Sequence, residues 1–404
     1  MTGLFKPIKL IGKVFAYMLL LFSYITPRSK RIWVYGSNMG FVGNAKYLFI
    51  YTSSLSDIKS IWIGANKNEV ELVRNKGFIA YYRYSIYGII YALISKVYIY
   101  NSYVNDINLY TFGFAKRINL WHGVGIKNCE RKISTGPIAK IFRSNSLRIK
   151  LKYLTLFIKP HYFLSTSERM RGLFRESFAI RSNCFIDNMY PRCEILLMDE
   201  KDRSEFILKY ENKETITLID EVKSSTYSYL YMPTWRDSDS NFLEDFDFNS
   251  LNDILKERNE IFLIKLHPVT KMDIKLQYSN LILIDKYIDL NSVMSYTDCL
   301  ITDFSSVYYD YIIMPEKRLI LYLPDYEHYI SKDRDLAFDY MECTEGEFVY
   351  NCRDLLSLIK NRDKQAQYSY QRIPDILNSF WGFALGTNTN DLYKKIKEKI
   401  GLLP

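Results

Sequence analysis

From residue 31 onward, short runs rich in β-branched and aromatic residues alternate with longer mixed segments. In the first half the runs lie at 31–36, 58–64, 96–101, 117–121 and 162–166. In the second half they lie at 227–233, 261–268, 280–285, 298–303 and 318–323. Short β-rich runs separated by helix-length segments are typical of mostly parallel sheets, so the pattern predicts two α/β domains. The length of 404 residues agrees, because single cores seldom exceed roughly 250–300 residues.

The strand pattern stops near residue 195, where the polar segment "LMDEKDRSEFILKYENKE" is typical of a helical connection. We therefore predict a first α/β domain at 31–200 and a second at 201–375. An N-terminal segment at 1–30 precedes them, and terminal helices at 376–404 follow.

The N-terminal segment is apolar in its centre and basic on both sides. Fourteen uncharged residues separate Lys13 from Arg28, fewer than the roughly 20 that a membrane-spanning helix needs. The basic flanks within residues 6–31 favour a helix that lies on an anionic membrane surface. A buried first helix of the domain is the alternative.

A second basic segment, 140–160, carries six Lys or Arg residues and no acidic residue. Aromatic and aliphatic residues alternate with these charges, as expected for a segment on anionic lipid. A solvated helix face is an equally good interpretation. The net charge of +9 favours anionic partners in general.

Several classes of protein lack their signature here. There is no P-loop, no G-x-G-x-x-G after a strand, and no H-E-x-x-H or G-x-S-x-G motif. The six cysteines are scattered without a C-x-x-C pair, which fits a reducing compartment. No cluster has metal-ligand spacing, so we expect no metal site. No RNP pattern is evident, and we expect no nucleic-acid partner.

Two of the four histidines follow predicted strands, one in each half. His122 lies in "NLWHGVGIKN" and His267 lies in "LIKLHP". Ligands of open parallel sheets bind beyond the carboxyl ends of the strands, so the two side chains are candidates for a cleft between the domains. Gly123 permits a tight turn directly after His122.

Two further loops of the second half end strands in the same way. In "YMPTWRD", Thr234 offers a hydroxyl and Arg236 a planar set of donors for phosphate, although Arg236 pairing with Asp237 is the alternative.

The other loop belongs to "CLITDFSSVYYDYI", residues 299–312, in which a strand runs into a helix. Ser305 and Ser306 are candidates for binding phosphate there. Capping of the helix by Ser305 or Asp303 is the alternative. Asp310, about one turn beyond Ser306, either faces the same site or pairs with a neighbouring cation. These loops together describe a pocket for a diphosphate.

Read together, "LWHGVGIKN", "YMPTWRD", "KLHP" and "LITDFSSVYYDY…RLILYLPDYEHY" resemble the CDP-glycerol glycerophosphotransferases of teichoic-acid and related surface-polymer synthesis. The resemblance spans about residues 30–350 and keeps the order and spacing of the four motifs. It implies a GT-B arrangement, in which two Rossmann-like domains with mostly parallel sheets face a central cleft. It also implies peripheral attachment to the cytoplasmic face of the membrane.

The implied reaction moves glycerol phosphate or ribitol phosphate from a CDP-alditol to a lipid-linked glycan acceptor, in teichoic-acid or capsule synthesis. CMP is released, and no cofactor is needed. By resemblance, His122 is the base that deprotonates the acceptor hydroxyl. The donor pyrophosphate would be held by His267 together with Thr302, Ser305 and Ser306, with Arg236 nearby.

The chain departs from the family pattern at "MYPRCE", residues 189–194, where Cys193 and Glu194 replace an Asn-Asp pair. Pro191 and Arg192 are kept. Two other functions remain as alternatives at this point: a GT-B glycosyltransferase that uses a nucleotide sugar, and a non-catalytic protein that binds the membrane surface.

Overall fold

The computed structural model describes residues 5–236, 246–266, 278–285, 288–333, 335–362 and 369–402. Two parallel sheets organise these residues. The first sheet consists of β1 (Ser29–Gly36), β2 (Lys59–Gly64), β3 (Ala80–Tyr82), β4 (Ser95–Tyr100), β5 (Lys116–Asn119), β6 (Tyr162–Ser165) and β7 (Phe185–Asp187). The second consists of β8 (Tyr227–Met232), β9 (Glu260–Ile264), β10 (Leu281–Leu283), β11 (Cys299–Thr302), β12 (Arg318–Tyr322) and β13 (Glu347–Val349).

The two sheets repeat one topology. The first has the order β3-β2-β1-β4-β5-β6-β7, the second has the order β10-β9-β8-β11-β12-β13, and the pairings are parallel. Each order reverses once, between β1 and β4 and between β8 and β11, which is the Rossmann-like arrangement. The prediction of two mostly parallel α/β sheets is confirmed.

The ten predicted strands occur within a few residues of their expected bounds. The structure adds β3, β7 and β13, each three residues long and each at a sheet edge. Strands this short carry no readable period, so sequence pattern alone does not detect them.

Helices cover both sheets. In the first half they are α1 (Phe5–Ser23), α2 (Asn44–Ser53), α3 (Lys67–Asn75), α4 (Ile86–Ile94), α5 (Gly136–Arg143), α6 (Leu147–Lys152), α7 (Leu154–Phe157) and α8 (Glu168–Phe178). The segment between the sheets forms α9 (Glu194–Leu197), α10 (Glu200–Tyr210) and α11 (Lys213–Ser224). The second half adds α12 (Phe248–Arg258), α13 (Leu290–Met294), α14 (Val307–Tyr311), α15 (Tyr326–His328), α16 (Tyr340–Cys343), α17 (Cys352–Lys360), α18 (Ile373–Trp381) and α19 (Thr389–Lys399).

The connecting helix α10 and the terminal helix α19 both pack on the first half. Phe206 of α10 stacks on Tyr47 of α2, with ring centroids 5.5 Å apart. From α19, Lys395 Nζ donates to the Asp187 carbonyl of β7 at 2.6 Å. The start of the predicted second domain and the predicted terminal helices therefore both rest against the first sheet and its helices.

Helix α1 presents apolar side chains to solvent where those side chains are described. Phe15, Met18 and Leu21 are 67%, 62% and 71% exposed. The end of the helix is anchored, because Ser23 Oγ accepts a hydrogen bond from Gly113 N at 3.0 Å. The alternative of a buried first helix is therefore wrong for these residues. No described helix combines the length and the apolar character that crossing a membrane requires.

Candidate active site

A cleft of about 150 Å³, open to solvent, lies where the loop after β5 faces the loop after β11. Its lining includes His122 and Gly123 from the first half and Phe304 and Ser306 from the second. A Cβ atom placed on Gly123 would lie 3.0 Å from Ser306 Oγ, so the two loops are in close contact. The structure thus brings His122, Gly123 and Ser306 together, as the sequence predicts.

The loop that carries His122 is held in a strained conformation. Trp121 has a φ of 56°, in the left-handed region that a bulky residue rarely adopts. Such a conformation costs about 1–3 kcal/mol and persists only where neighbours enforce it. Here Asn119 Oδ1 accepts from Trp121 N at 2.8 Å, and Asn44 Nδ2 donates to the Trp121 carbonyl at 2.9 Å.

The His122 ring is exposed and contacts the Trp121 ring, with centroids 4.0 Å apart. Its Nδ1 lies 3.3 Å from the Asn101 carbonyl oxygen and 3.4 Å from Ser102 Oγ. A carbonyl oxygen only accepts, so a hydrogen bond between Nδ1 and the Asn101 carbonyl uses a proton on Nδ1. In the neutral ring, Nε2 is then the nitrogen with the lone pair, as a general base requires.

Asp310 does not face the cleft but pairs with Arg192. Both groups are buried, and Arg192 Nε and Nη2 lie 3.0 and 2.7 Å from Asp310 Oδ2. Burial raises the pKa of Asp310, and the guanidinium opposes that rise. Arg192 Nη1 also donates to the His122 carbonyl at 2.7 Å. The alternative that Asp310 pairs with a cation is therefore correct, and the pair joins α14 to the His122 loop.

Arg192 contacts the His122 loop and Asp310, and the sequence did not predict these contacts. It belongs to the "PR" pair that this chain keeps in "MYPRCE". The next two residues depart from the family pattern, and both are nevertheless accommodated in the fold. Cys193 is fully buried, and Glu194 Oε2 accepts from Thr389 N at 2.9 Å.

Arg236 is engaged by two carboxylates. Its Nη1 lies 2.8 Å from Asp303 Oδ2, and its Nε and Nη2 donate to Asp325 at 2.7 and 2.8 Å. Asp303 also accepts from Thr234 N at 2.8 Å. Because Asp303 is engaged by Arg236 and Thr234, it joins the two loops of the second half rather than capping α14. A direct role of Thr234 and Arg236 in donor binding stays a prediction.

The other predicted hydroxyl residues differ in access. Thr302 is fully buried, and its Oγ1 donates to the Met232 carbonyl at 2.7 Å. Ser305 and Ser306 are half-buried. Ser306 stands just before α14 and makes no side-chain capping bond, while Ser305 Oγ accepts weakly from Val307 N at 3.4 Å. Capping therefore does not account for Ser306, which faces the cleft.

His267 lies outside the described residues, and so does Asp237, the alternative partner of Arg236. The structure adds Lys127 to the lining of the cleft. Its Nζ lies 5.5 Å from the centre of the Tyr329 ring, and its backbone forms an antiparallel bridge with Leu336 of the second half. The signal in the sequence was present, because Lys127 is a cation five residues after His122 in the same motif.

Within the described part of the chain, no group of three or more His, Cys, Asp or Glu side chains has the spacing of a metal site. The expectation that the chain builds no metal site of its own stays a prediction.

Comparison with known proteins decides the family. The model of the CDP-glycerol:poly(glycerophosphate) glycerophosphotransferase family matches residues 18–398. The chain belongs to this family. It is an enzyme of alditol-phosphate transfer in cell-wall polymer synthesis, as the four motifs predict. Both alternatives, the nucleotide-sugar glycosyltransferase and the non-catalytic protein, are thereby set aside.

Three curated relatives illustrate the range of the family. A teichoic acid poly(glycerol phosphate) polymerase of Bacillus spizizenii is 22% identical over 93% of each chain. A teichoic acid glycerol-phosphate transferase of Staphylococcus aureus is 24% identical over 80% of this chain and 81% of its own. A teichoic acid ribitol-phosphate polymerase of the same species, TarK, is 24% identical over 73% of this chain and 55% of its own.

Solved structures confirm the fold. The wall teichoic acid polymerase TagF superposes with a TM-score of 0.75 at 20% identity, covering 98% of this chain and 97% of that one. A putative UDP-N-acetylglucosamine 2-epimerase of Listeria monocytogenes gives 0.53 at 11% identity, covering 92% and 97%. The predicted GT-B arrangement is thus confirmed, and its occurrence in an epimerase shows that fold alone does not select the chemistry.

Proposed function

We propose that this enzyme transfers glycerol phosphate or ribitol phosphate from a CDP-alditol to a hydroxyl of a lipid-linked glycan, and releases CMP. The observation that carries the proposal is the contact of the two loops across the cleft. One loop supplies His122, whose Nδ1 lies 3.3 Å from the Asn101 carbonyl oxygen, and the other supplies the Ser306 hydroxyl. Transfer of an anionic group needs a base on one side and phosphate-binding donors on the other.

In the proposed reaction, His122 Nε2 accepts the proton of the acceptor hydroxyl. The acceptor oxygen attacks the phosphorus that bears the alditol, and the bond from this phosphorus to the bridging oxygen breaks. CMP leaves with that oxygen, and the imidazolium later returns its proton to solvent. Arg192 holds the His122 carbonyl throughout, so the base stays at its place in the cleft.

The donor phosphates lie, in this proposal, against Ser305, Ser306 and the predicted His267. Lys127 lines the same cleft and carries the positive charge that an anionic donor requires. No cofactor takes part in the proposed steps. Base, hydroxyl donors and cation all come from this chain.

We further propose that the enzyme binds the cytoplasmic face of the membrane through residues 6–31 and 140–160. Exposed apolar side chains support this for both segments, with Phe15 of α1 67% exposed and Leu147 of α6 71% exposed. In the second segment, basic residues are interleaved with the apolar ones, and their positive charge would attract an anionic lipid surface. The solvated-face interpretation of 140–160 predicts no lipid binding, and vesicle co-sedimentation distinguishes the two.

The decisive experiment is CMP release by the purified enzyme with CDP-glycerol, CDP-ribitol and UDP-sugars offered separately, and a membrane extract as acceptor source. CMP release from a CDP-alditol that is lost in His122→Ala is the expected result. Release of UDP, or CMP release that His122→Ala does not change, would overturn the proposal.

The serines are tested in the same assay. If their hydroxyls bind the donor phosphate, Ser305→Ala combined with Ser306→Ala raises the KM for the CDP-alditol with little change in thermal stability. A loss of about 1 kcal/mol in stability with an unchanged KM would instead assign them to capping.

A further inference from the structure

A buried carboxylate, Asp106, lies beneath the loop that supports His122. It ends a short 3₁₀ turn, Val104–Asp106, which follows β4, and its side chain is 1% exposed. Its Oδ2 accepts from Asn101 N at 3.1 Å and from Ser102 N at 2.8 Å. Asp106 therefore sets the orientation of the peptide units at the carboxyl end of β4.

Those two residues are the ones that His122 Nδ1 approaches, through the Asn101 carbonyl and Ser102 Oγ. They are also tied to the far side of the same loop, because Asn119 Nδ2 donates to the Ser102 carbonyl at 2.7 Å. The 101–102 segment is thus the surface on which the imidazole rests. Its orientation depends on Asp106.

The contacts around Asp106 fix which groups donate a hydrogen bond and which accept one. Arg83 Nη1 donates to Asn38 Oδ1 at 2.9 Å, which turns Asn38 Nδ2 toward Asp106 Oδ1, at 2.7 Å. Asp106 consequently receives donors on both oxygens. Burial raises the pKa of Asp106 to about 7, and these donors oppose that rise because they favour the ionised carboxylate, which is an acceptor-only group.

We propose that Asp106 is a positioning residue for His122: through the Asn101–Ser102 peptide units it holds the proton on Nδ1 and so keeps the lone pair on Nε2. The proposal rests on the proposed role of His122 as the base. Asp106 does not contact His122 and takes no proton in the reaction. When Nε2 gains the proton of the acceptor hydroxyl, the Nδ1–H bond to the Asn101 carbonyl is unchanged.

The test uses Asp106→Asn. The new amide must turn its NH₂ either toward the Asn101 and Ser102 N–H groups or toward Asn38 Nδ2, and in both cases two donors face one another. The exchange variant, Asn38→Asp combined with Asp106→Asn, removes the conflict. The carboxylate introduced at position 38 then accepts hydrogen bonds from Arg83 and from the NH₂ of the new amide. The oxygen of that amide accepts from the Asn101 and Ser102 N–H groups. The total charge is unchanged.

Two readouts are measured on the purified full chain. The first is the tautomer of His122, from imidazole ¹⁵N resonances assigned with His122→Asn, which needs no activity. The second is kcat and KM for CMP release. Asp298→Asn is the matched control, because Asp298 Oδ2 also accepts two hydrogen bonds, from Ser228 N and Ser228 Oγ, both at 2.8 Å. This pair lies at the amino ends of β8 and β11, away from the cleft.

We expect the wild type to carry the proton on Nδ1, and Asp106→Asn to shift the population toward Nε2–H. We also expect kcat to fall about tenfold or more, with KM within about twofold, since a general base contributes roughly 10²–10⁴-fold. The exchange variant should restore both properties, and Asp298→Asn should change neither. If Asp106→Asn does not fold, the exchange variant alone decides, because it must retain the wild-type tautomer.

A wild-type ring protonated on Nε2, or an exchange variant that folds without the Nδ1–H tautomer, would overturn the proposal. An unchanged tautomer in a folded Asp106→Asn would do the same. Failure of the proposed function looks different: no CDP-alditol releases CMP, whereas the tautomer still responds to Asp106 and to the exchange.

Discussion

Replacement of Asp310 by Asn tests the buried pair that links the two halves beside the cleft. The change removes the negative charge and keeps the size of the side chain. In the wild type the Arg192 and Asp310 side chains are only 10% and 4% exposed, and two guanidinium nitrogens lie within 3.0 Å of the same carboxylate oxygen. In the variant the Arg192 charge stays buried without its partner.

The magnitude follows from that burial. Removing one partner of a buried ion pair costs about 3–5 kcal/mol, because the remaining charge is desolvated and no longer compensated. An exposed pair is worth about 0–1 kcal/mol. Glu176→Gln provides this control, since the Lys132 and Glu176 side chains are 33% and 54% exposed while their charged atoms lie 2.6 Å apart.

The assay is urea unfolding followed by tryptophan fluorescence, with CMP release measured in parallel. Asp310→Asn should lower the free energy of unfolding by about 3–5 kcal/mol, whereas Glu176→Gln should leave it nearly unchanged. Combining Asp310→Leu with Arg192→Leu should recover most of the stability, because neither charge remains. It should not recover kcat, since the bond from Arg192 to the His122 carbonyl is lost.

Two results would refute this reasoning. One is an Asp310→Asn variant as stable as the wild type, which would mean that the pair is not desolvated in solution. The other is a double leucine variant that is less stable than Asp310→Asn, which would mean that packing rather than charge sets the cost.

Three further predictions concern single positions. Gly123→Ala places a methyl group 3.0 Å from Ser306 Oγ at a φ of 157° that side chains rarely adopt, so it should lower both kcat, by about tenfold, and thermal stability. An unchanged kcat would show that the two loops need not touch. Thr302→Val removes the hydrogen bond to the Met232 carbonyl and should lower the free energy of unfolding by about 1–2 kcal/mol, measured by thermal unfolding. The KM for the donor should not change. A raised KM would show that Thr302 belongs to the donor site. Burial lowers the pKa of His161 from 6.5 to about 4, so the unfolded chain binds more protons than the folded one between these pH values, and stability should fall as pH drops through them. His161→Asn should flatten this part of the plot of stability against pH. An unaltered slope would show that other groups cause the pH dependence.

Much of the site was predictable because it depends on local patterns. His122 follows β5 and Ser306 follows β11, and parallel strands bring their carboxyl ends to one edge of each sheet. Placing the motifs after strands therefore predicted that they meet. The order of the four motifs along the chain also sufficed to predict the family.

The partners of the charged residues were not predictable in this way. Arg236 pairs with Asp325, 89 residues away, and Arg192 pairs with Asp310, 118 residues away. No period or spacing in the sequence relates such positions. Their pairing is set by how the loops of the two sheets pack.

The two parallel sheets, the family and the two loops that carry the chemistry could be read from the sequence, because strand periodicity and motif position are local properties. Which side chains reach the cleft, and which support those that do, became visible in the folded chain. His122 and Ser306 face the open space, whereas Arg236, Asp310 and Asp106 are buried among partners. A buried charged side chain needs partners that compensate its charge, and here those partners come from distant parts of the chain.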